Sequence, residues 1–336
     1  MERRVDISLI RILAMLMIIY THCIIPYICT YINQESWNFG IIQSPFYKQA
    51  QIFINAIAIP AFCFISGYLY EYFRINFNKY KNTLQFISSK AKRLIVPYII
   101  WYCYIMYFFP GRCNLFEIFY SIDHLWFLLM LMWCFLFSSL CIKFLEKSPL
   151  ILDIIIFLGF SFLFIIGNHF NLLPSFLCLN MFVLYFPAFF LGILFAKYNV
   201  TDLVTTKIPL FIFPIAIALE SILLYLFTSE NHFSSYSISR IIGLCVVVTL
   251  FSYFKLNINR LQFINKDFYK SLDKNSMGIY LLHSIILLYF LEFDYVIQFM
   301  NNYELIAPFI LLILSVGLSW AISILIRKTP LAFILG

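Results

Sequence analysis

Residues 12–34 read ILAMLMIIYTHCIIPYICTYINQ and contain no Asp, Glu, Lys or Arg. The flanking charges are Arg11 and Glu35, so 23 residues in a row carry no formal charge. A helix needs about 20 apolar residues to cross the hydrocarbon layer, because its backbone N–H and C=O groups must be paired without water. This stretch therefore predicts a membrane-spanning helix near the N-terminus.

Charge-free stretches recur along the chain and predict further spans. Nine more apolar stretches fit, at 49–70, 94–111, 124–142, two within 154–196, 208–228, 241–254, 275–291 and 305–326, and of these only 208–228 carries a charged residue, Glu220. The 43 residues of 154–196 are divided by a polar segment at Asn168 and by Pro174, and the shortest stretch, 241–254, has 14 residues. We therefore expect an all-α, polytopic integral membrane helix bundle of about ten transmembrane helices, with residues 1–336 forming a single integral membrane domain.

The composition agrees with a membrane protein. Apolar residues make up 63% and charged residues 12% of the 336 residues, against about 45–50% and 25% in soluble globular domains. A soluble enzyme and a disordered protein are excluded, and nucleic-acid binding is not expected. Nine cysteines lie mostly within apolar runs without a CxxC pair, so neither a disulfide framework nor a metal site is indicated.

The distribution of positive charge predicts the orientation. Of the 23 Lys and Arg residues, 19 fall in segments assigned to the inner side and only Lys48, Arg112 and Arg240 fall in outer segments. Positive residues concentrate on the cytoplasmic side of membrane proteins. We therefore expect both termini in the cytoplasm. The expected location is the cytoplasmic (inner) membrane of a bacterial cell, where the chain contacts membrane lipid.

The first predicted helix carries two ionisable residues. Arg11 and His22 are 11 residues apart, which corresponds to three turns plus roughly 20° and an axial distance of about 16 Å. Both therefore lie on one helix face, with Arg11 at the inner end and His22 in the outer half of the bilayer. Ionisable residues within spans are functional candidates, although Arg11 could instead extend to the headgroups and His22 could bond a carbonyl in a helix contact.

The Arg-x10-His pattern of Arg11 and His22 resembles the first helix of the membrane-bound acyltransferase-3 family, the O-acetyltransferases of cell-surface polysaccharides. Other segments are similar to that family's in the same order: Phe64-Ile-Ser-Gly-Tyr68, Lys90-Ala-Lys-Arg-Leu-Ile-Val-Pro-Tyr98, His124-Leu-Trp-Phe-Leu128, Phe186-Pro-Ala-Phe-Phe-Leu-Gly192 and Gly278-Ile-Tyr-Leu-Leu-His283. One departure is Lys90 where the family often has the first Arg of Arg-x-x-Arg, because Lys cannot bind a phosphate in bidentate fashion.

The resemblance implies that residues 1–336 form a single integral membrane acyltransferase domain. Its implied reaction is transfer of an acyl group, usually acetyl from acetyl-CoA, to a hydroxyl of a cell-surface or lipid-linked glycan. His22 is the candidate base or acyl-accepting nucleophile, because an imidazole titrates near neutral pH.

The other candidates follow from their position. Asp123 and His124 are candidates to orient the base or the acceptor, unless they form an interfacial polar pair. The cations Arg11, Lys90 and Arg93 are candidates for the phosphates of the donor. His283 is expected either to contact the donor or to make a packing hydrogen bond, and no oligomeric state is indicated.

Two other classes of function fit the composition. A secondary transporter of a small molecule or glycan precursor also has many spans with a few buried charges, although no two-fold hydropathy repeat is visible. A haem-bearing electron carrier needs two histidines that face each other at one depth. The spacing from the flanking charges predicts different depths for His22 and His283.

Overall fold

The structure is a computed structural model that describes residues 4–28, 41, 44–77, 79, 82–110, 115–120, 124–169, 173–200, 232–257, 259 and 266–336. Within these ranges the regular structure is helical and contains no strand. The α-helices of the described ranges are α1 (Val5–Ile24), α2 (Pro45–Phe77), α3 (Thr83–Phe108), α4 (Trp126–Leu140), α5 (Ile142–Lys147), α6 (Leu150–His169), α7 (Leu179–Lys197), α8 (His232–Leu256), α9 (Asp267–Lys274), α10 (Ser276–Leu291), α11 (Asp294–Asn302) and α12 (Ala307–Arg327).

These helices confirm an all-α, polytopic membrane protein. In the described ranges, four helical segments are long and apolar enough to cross a bilayer: Val5–Tyr27, Phe46–Phe77, Phe176–Lys197 and Ala307–Arg327. The pair α9 and α10, bent by 70°, makes a fifth if it is one span. Of the ten predicted spans, 208–228 lies outside the described residues, and each of the others overlaps a helix.

The chain forms two compact units, residues 1–59 with 209–335 and residues 60–208. In the first unit, α10 packs along α12, and α1 packs against α8, α10 and α12. Ser315, Ser319 and Ser323 lie four residues apart on α12 and are fully buried. Small side chains at this spacing let neighbouring helices approach closely. The contacts place α1 at the centre of this unit's described helices.

In the second unit, α7 packs against α4 and α6, and α4 packs against α3. The part of α2 in this unit crosses α7 with their backbones in contact. A Cβ atom on Gly67 would lie 1.9 Å from the Phe189 carbonyl oxygen, and one on Gly192 would lie 2.0 Å from that of Phe64. Only glycine permits this approach, which explains both glycines at the crossing.

A buried ion pair joins α6 to α7 in the second unit. Asp153 is fully buried, and its carboxylate accepts hydrogen bonds from Lys197 Nζ at 2.7 Å and from the Tyr198 hydroxyl at 2.7 Å. Lys197 also donates to the carbonyls of Leu145 and Ser148. Partial burial, together with the bond to Asp153, raises the pKa of the Tyr198 phenol. A buried charge is tolerated where it is paired in this way.

The glycine crossing predicts that Gly192→Ala lowers the thermal midpoint of the purified protein. The added methyl group would overlap the Phe64 carbonyl oxygen, and overpacking of this kind costs about 1–3 kcal/mol. The matched control is Gly159→Ala on α6, where a Cβ atom meets nothing within 4 Å. The control should be neutral or stabilised by up to about 1 kcal/mol. Equal midpoints for the two variants would contradict the close crossing.

Candidate functional site

Two polar contacts between α1 and the α9–α10 pair define a candidate site in the first unit. Arg11 Nη1 lies 2.9 Å from Asp273 Oδ1, and the ring centroids of His22 and His283 are 5.0 Å apart. Both contacts follow the chain in the same order, so the two segments run parallel. From the ion pair, α1 advances 11 residues to His22 and the other segment advances 10 residues to His283. The imidazoles therefore lie at a similar distance from the ion pair.

His22 lies in the last turn of α1. Its side chain is half-buried and its Nδ1 atom is buried. The hydroxyl of the preceding residue, Thr21, donates a 2.7 Å hydrogen bond to the Ile18 carbonyl of the same helix. A 3₁₀ turn, Ile25–Tyr27, contains Pro26 and follows directly. Since proline cannot donate to the helix ladder, α1 ends at Ile24, two residues beyond the histidine.

His283 lies within α10 and is fully buried. Its Nδ1 atom is 2.6 Å from the carbonyl oxygen of Tyr280. A carbonyl oxygen only accepts, so Nδ1 carries the hydrogen, and in the neutral ring Nε2 then has a lone pair. This hydrogen bond is made within α10, to the residue three positions earlier, so a bond from His283 to a neighbouring helix also stays a prediction. Contact of His283 with an acyl donor stays a prediction.

The expectation that His22 and His283 lie at different depths is wrong, because their rings are 5.0 Å apart with planes at 66°. The sequence count treated each charge-free stretch as a straight helix starting at the membrane surface. The Arg11–Asp273 pair instead places the starting points of the two counts side by side, and nearly equal numbers of residues then lead to His22 and His283. The direct contact also leaves no room for a porphyrin plane between the rings, so this pair cannot provide two axial ligands to one haem.

Arg11 has a specific partner that sequence analysis missed. Asp273 accepts hydrogen bonds from Arg11 Nη1 at 2.9 Å and from the Ser8 hydroxyl at 2.8 Å. Only 28% of the Arg11 side chain and 12% of the Asp273 side chain are exposed, so Arg11 does not simply extend to the headgroups. The sequence does contain a signal for this pairing, because Asp273 lies in the segment 255–275, which is predicted on the same side of the membrane as Arg11. A cation and a carboxylate at neighbouring helix ends are candidates to pair.

The bend before α10 is held by a polar network with the end of α12. Asn275 donates to the Ser271 carbonyl at 2.8 Å, and its side-chain oxygen accepts from Ser323 Oγ at 3.0 Å and Arg327 Nε at 3.1 Å. The indole of Trp320 donates to the Ser271 hydroxyl at 3.1 Å. These bonds fix the junction between Asp273 on one side and His283 on the other.

The remaining site candidates belong to the second unit. His124 precedes α4 and is 1% exposed, while Asp123 lies outside the described residues. Next to His124, the indole of Trp126 stacks on the ring of Tyr185 with centroids 5.7 Å apart. The roles of Asp123 and His124 in orienting the base or the acceptor stay predictions.

Lys90 and Arg93 lie one turn apart on α3. Lys90 is half-buried, and its Nζ atom lies 4.2 Å from the ring centroid of Phe135 and 5.4 Å from that of Phe86. Aromatic faces stabilise a cation by their quadrupole. Arg93 is exposed. Binding of a donor phosphate by these two residues stays a prediction.

The Arg11–Asp273 pair predicts a coupling energy in a double-mutant cycle. Arg11→Met or Asp273→Asn alone should lower the thermal midpoint, because each leaves a partly buried charge with less compensation. The double variant should recover part of the loss, with a coupling of about 0.5–3 kcal/mol. The control cycle is Asp267 and Lys270 on α9, a more exposed pair at 3.3 Å, for which coupling near zero is expected. Additive losses at Arg11 and Asp273 would contradict the pairing.

Comparison with known proteins agrees with the predicted resemblance. The family model described as an acyltransferase domain, Acyl_transf_3, matches residues 4–327. This range runs through both compact units and contains every helix from α1 to α12. No curated protein and no solved structure matches the chain. Because the family model covers nearly the whole sequence, the chain belongs to the acyltransferase-3 family and is an integral membrane acyltransferase.

Proposed function

We propose that this protein transfers an acyl group, acetyl in the first instance, from acetyl-CoA to a hydroxyl group of a cell-surface or lipid-linked glycan. Membership of the acyltransferase-3 family establishes that the reaction is an acyl transfer. The observation that carries the proposal is the pair of contacts along α1, Arg11 with Asp273 and His22 with His283. These contacts hold a cation and an imidazole at fixed positions on one helix. A charged donor requires such a cation, and a hydroxyl acceptor requires such a base.

The chemistry needs a base, because a sugar hydroxyl is protonated at neutral pH. His22 takes the hydroxyl proton while the oxygen attacks the carbonyl carbon of the thioester. The bond between carbon and sulfur then breaks, its electron pair stays on sulfur, and the thiolate takes up a proton to leave as the CoA thiol. If His22 first accepts the acyl group itself, the hydroxyl attacks the acyl-histidine and the products are the same.

The donor carries phosphates and needs cations. Arg11 is one candidate, since a guanidinium has five N–H donors and the bond to Asp273 is made by the Nη1 nitrogen alone. Lys90 and Arg93 are the others. The concentration of 19 of the 23 basic residues in the predicted inner segments supports a cytoplasmic donor, cytoplasmic termini and an acceptor on the outer side. The chain would then reside in the cytoplasmic (inner) membrane of a bacterial cell.

The proposal predicts that the purified protein releases CoA thiol from acetyl-CoA when a suitable glycan acceptor is present. Thiol release is measured with a chromogenic thiol reagent in a background cleared of reactive cysteines, and mass spectrometry should show one added acetyl group on the acceptor. A panel of acyl-CoA donors and glycans identifies the substrates. Absence of thiol release across the panel, combined with substrate flux in proteoliposomes, would favour a transporter and contradict the proposal.

The role of the base predicts that His22→Ala lowers the acyl-transfer rate by roughly 10²–10⁴ while the protein still inserts. The matched control is Thr21→Val, which changes a buried neighbour whose hydroxyl only bonds its own helix. The control should keep the rate within a few-fold of the wild-type value. Near-wild-type turnover of a folded His22→Ala protein would remove His22 from the mechanism.

A further inference from the structure

We infer that Arg327 binds a phosphate group of the acyl donor at the bend between α9 and α10, with Arg11 on the other side of that bend. This inference rests on the proposed function, in which acetyl-CoA is the donor. It adds a residue at the end of α12 to the candidate cations Arg11, Lys90 and Arg93, and it assigns a donor phosphate to the same compact unit as His22.

Both arginines are bonded to the bend. Arg11 Nη1 lies 2.9 Å from Asp273 Oδ1, and Arg327 Nε lies 3.1 Å from Asn275 Oδ1. Asp273 and Asn275 are two positions apart in the chain, so their Cα atoms are separated by at most about 7 Å. The helices that carry the arginines, α1 and α12, also pack against each other. The two guanidinium groups therefore flank one junction at the same end of the unit.

Each guanidinium has N–H groups that are not used within the described part of the chain. Among those residues, Arg11 bonds through Nη1 and Arg327 bonds through Nε. Arg327 thus keeps both Nη nitrogens, which form the end of the guanidinium fork. Parallel N–H groups of such a fork match two oxygens of one phosphate, which is why arginine binds phosphate in bidentate fashion.

The charge of Arg327 is not balanced by a carboxylate among the residues that the structure describes. Arg11 has the carboxylate of Asp273 as its partner, whereas the oxygen that Arg327 contacts belongs to the neutral amide of Asn275. Arg327 is also half-buried, so water screens its charge only in part. A partly buried cation of this kind is stabilised by an anion. The donor supplies one in its phosphates.

The position of the bend relative to His22 suits a long donor. Arg11 precedes His22 by 11 residues, which is about 16 Å along α1. Acetyl-CoA carries its phosphates at one end and its thioester at the other, with the pantetheine arm between them. Phosphates held at the bend therefore let the arm follow α1 toward His22, where the acceptor hydroxyl attacks.

A purely structural role of Arg327 predicts different behaviour. The bond to Asn275 links α12 to the bend, and loss of a structural link disturbs the site for every donor alike. Loss of a phosphate contact affects only donors that carry phosphate. Acetyl-pantetheine has the same thioester as acetyl-CoA but no phosphate, so it separates the two roles.

The first experiment measures kcat and KM for both donors with full-length protein in a maltoside detergent without added phospholipid. We expect Arg327→Gln to raise KM for acetyl-CoA at least about tenfold with little change in kcat, and to leave KM for acetyl-pantetheine unchanged. Arg327→Lys should cause a smaller rise, because it keeps the charge without the fork. An equal rise for both donors, or none for acetyl-CoA, overturns the inference.

The matched control is Lys328→Gln, which removes the exposed cation next to Arg327. Both KM values should stay at the wild-type level, because the inference needs a cation at the bend and not merely a positive charge near the helix end. A rise in KM for acetyl-CoA as large as that of Arg327→Gln would contradict a specific role of Arg327.

A second substitution tests the anion site with Arg327 in place, and it keeps the inference testable if Arg327→Gln does not insert. Asn275→Asp keeps an oxygen for Arg327 and Ser323 but gives Arg327 a carboxylate partner. The carboxylate competes with phosphate, so KM for acetyl-CoA should rise while KM for acetyl-pantetheine does not. A structural link would be kept by this change, and an unchanged ratio of the two KM values would contradict phosphate binding.

A third measurement needs neither turnover nor a variant. An arginine-specific dicarbonyl reagent should modify Arg327 in the wild-type protein, and CoA should protect it whereas pantetheine should not, as read by peptide mass spectrometry. A membrane phospholipid carries the same phosphate chemistry, so the reaction is repeated with added phospholipid in place of CoA. Protection by phospholipid but not by CoA would assign Arg327 to lipid and overturn the inference.

These measurements distinguish failure of the inference from failure of the proposed function. If the wild-type protein turns over acetyl-CoA but CoA does not protect Arg327, the inference alone is wrong. If an inactive protein is still protected by CoA, the proposed transfer is contradicted and the phosphate site is supported. If turnover and protection are both absent, both are wrong.

Discussion

Hydrocarbon offers no hydrogen bonds, so each polar group within the membrane must find its partner in the protein. The backbone meets this condition by forming helices, and side chains meet it in pairs. Arg11 pairs with Asp273, Lys197 with Asp153, and Arg74 with Glu71. The first pair joins helices that are far apart in sequence, and the second joins the consecutive helices α6 and α7. Polar pairs therefore join particular helices within each unit, and apolar contacts make up most of the remaining packing.

The candidate site follows from one such pairing. The bond from Arg11 to Asp273 sets the register between α1 and the α9–α10 pair, and 11 residues along the first and 10 along the second lead to the contact of His22 with His283. The bend at Asn275 is bonded to α12, so the register does not depend on two helices alone. The result is an imidazole pair whose position is fixed before any substrate arrives, which is the arrangement that efficient proton transfer needs.

Several features could be predicted from the sequence because the bilayer imposes them. Charge-free stretches predict helices directly, and the 11-residue spacing of Arg11 and His22 predicts a shared face. The ordered motifs predict the family. The partners could not be predicted, because hydropathy shows where a helix lies but not which neighbour it meets. Asp273 is 262 residues from Arg11 and resembles any other charge of its loop.

The wrong depth for His283 has the same origin. The sequence does not show that Arg11 and Asp273 pair, and without that pair the counts along α1 and α10 have no common starting point. The aromatic contact of Lys90 could not be predicted for the same reason. Its sequence position predicts a cation at a helix end, but the Phe135 ring beneath it comes from another helix.

A structure determined by electron microscopy with a non-hydrolysable acetyl-CoA analogue would test the central claim most directly. The claim is that acyl transfer occurs beside the His22–His283 pair, with the charged part of the donor toward Arg11. The expected result is an acyl carbonyl next to the His22 ring, on the side not occupied by His283, and CoA phosphates toward the Arg11 end of α1. An analogue bound with its acyl group away from α1, or imidazole rings separated in the complex, would contradict it.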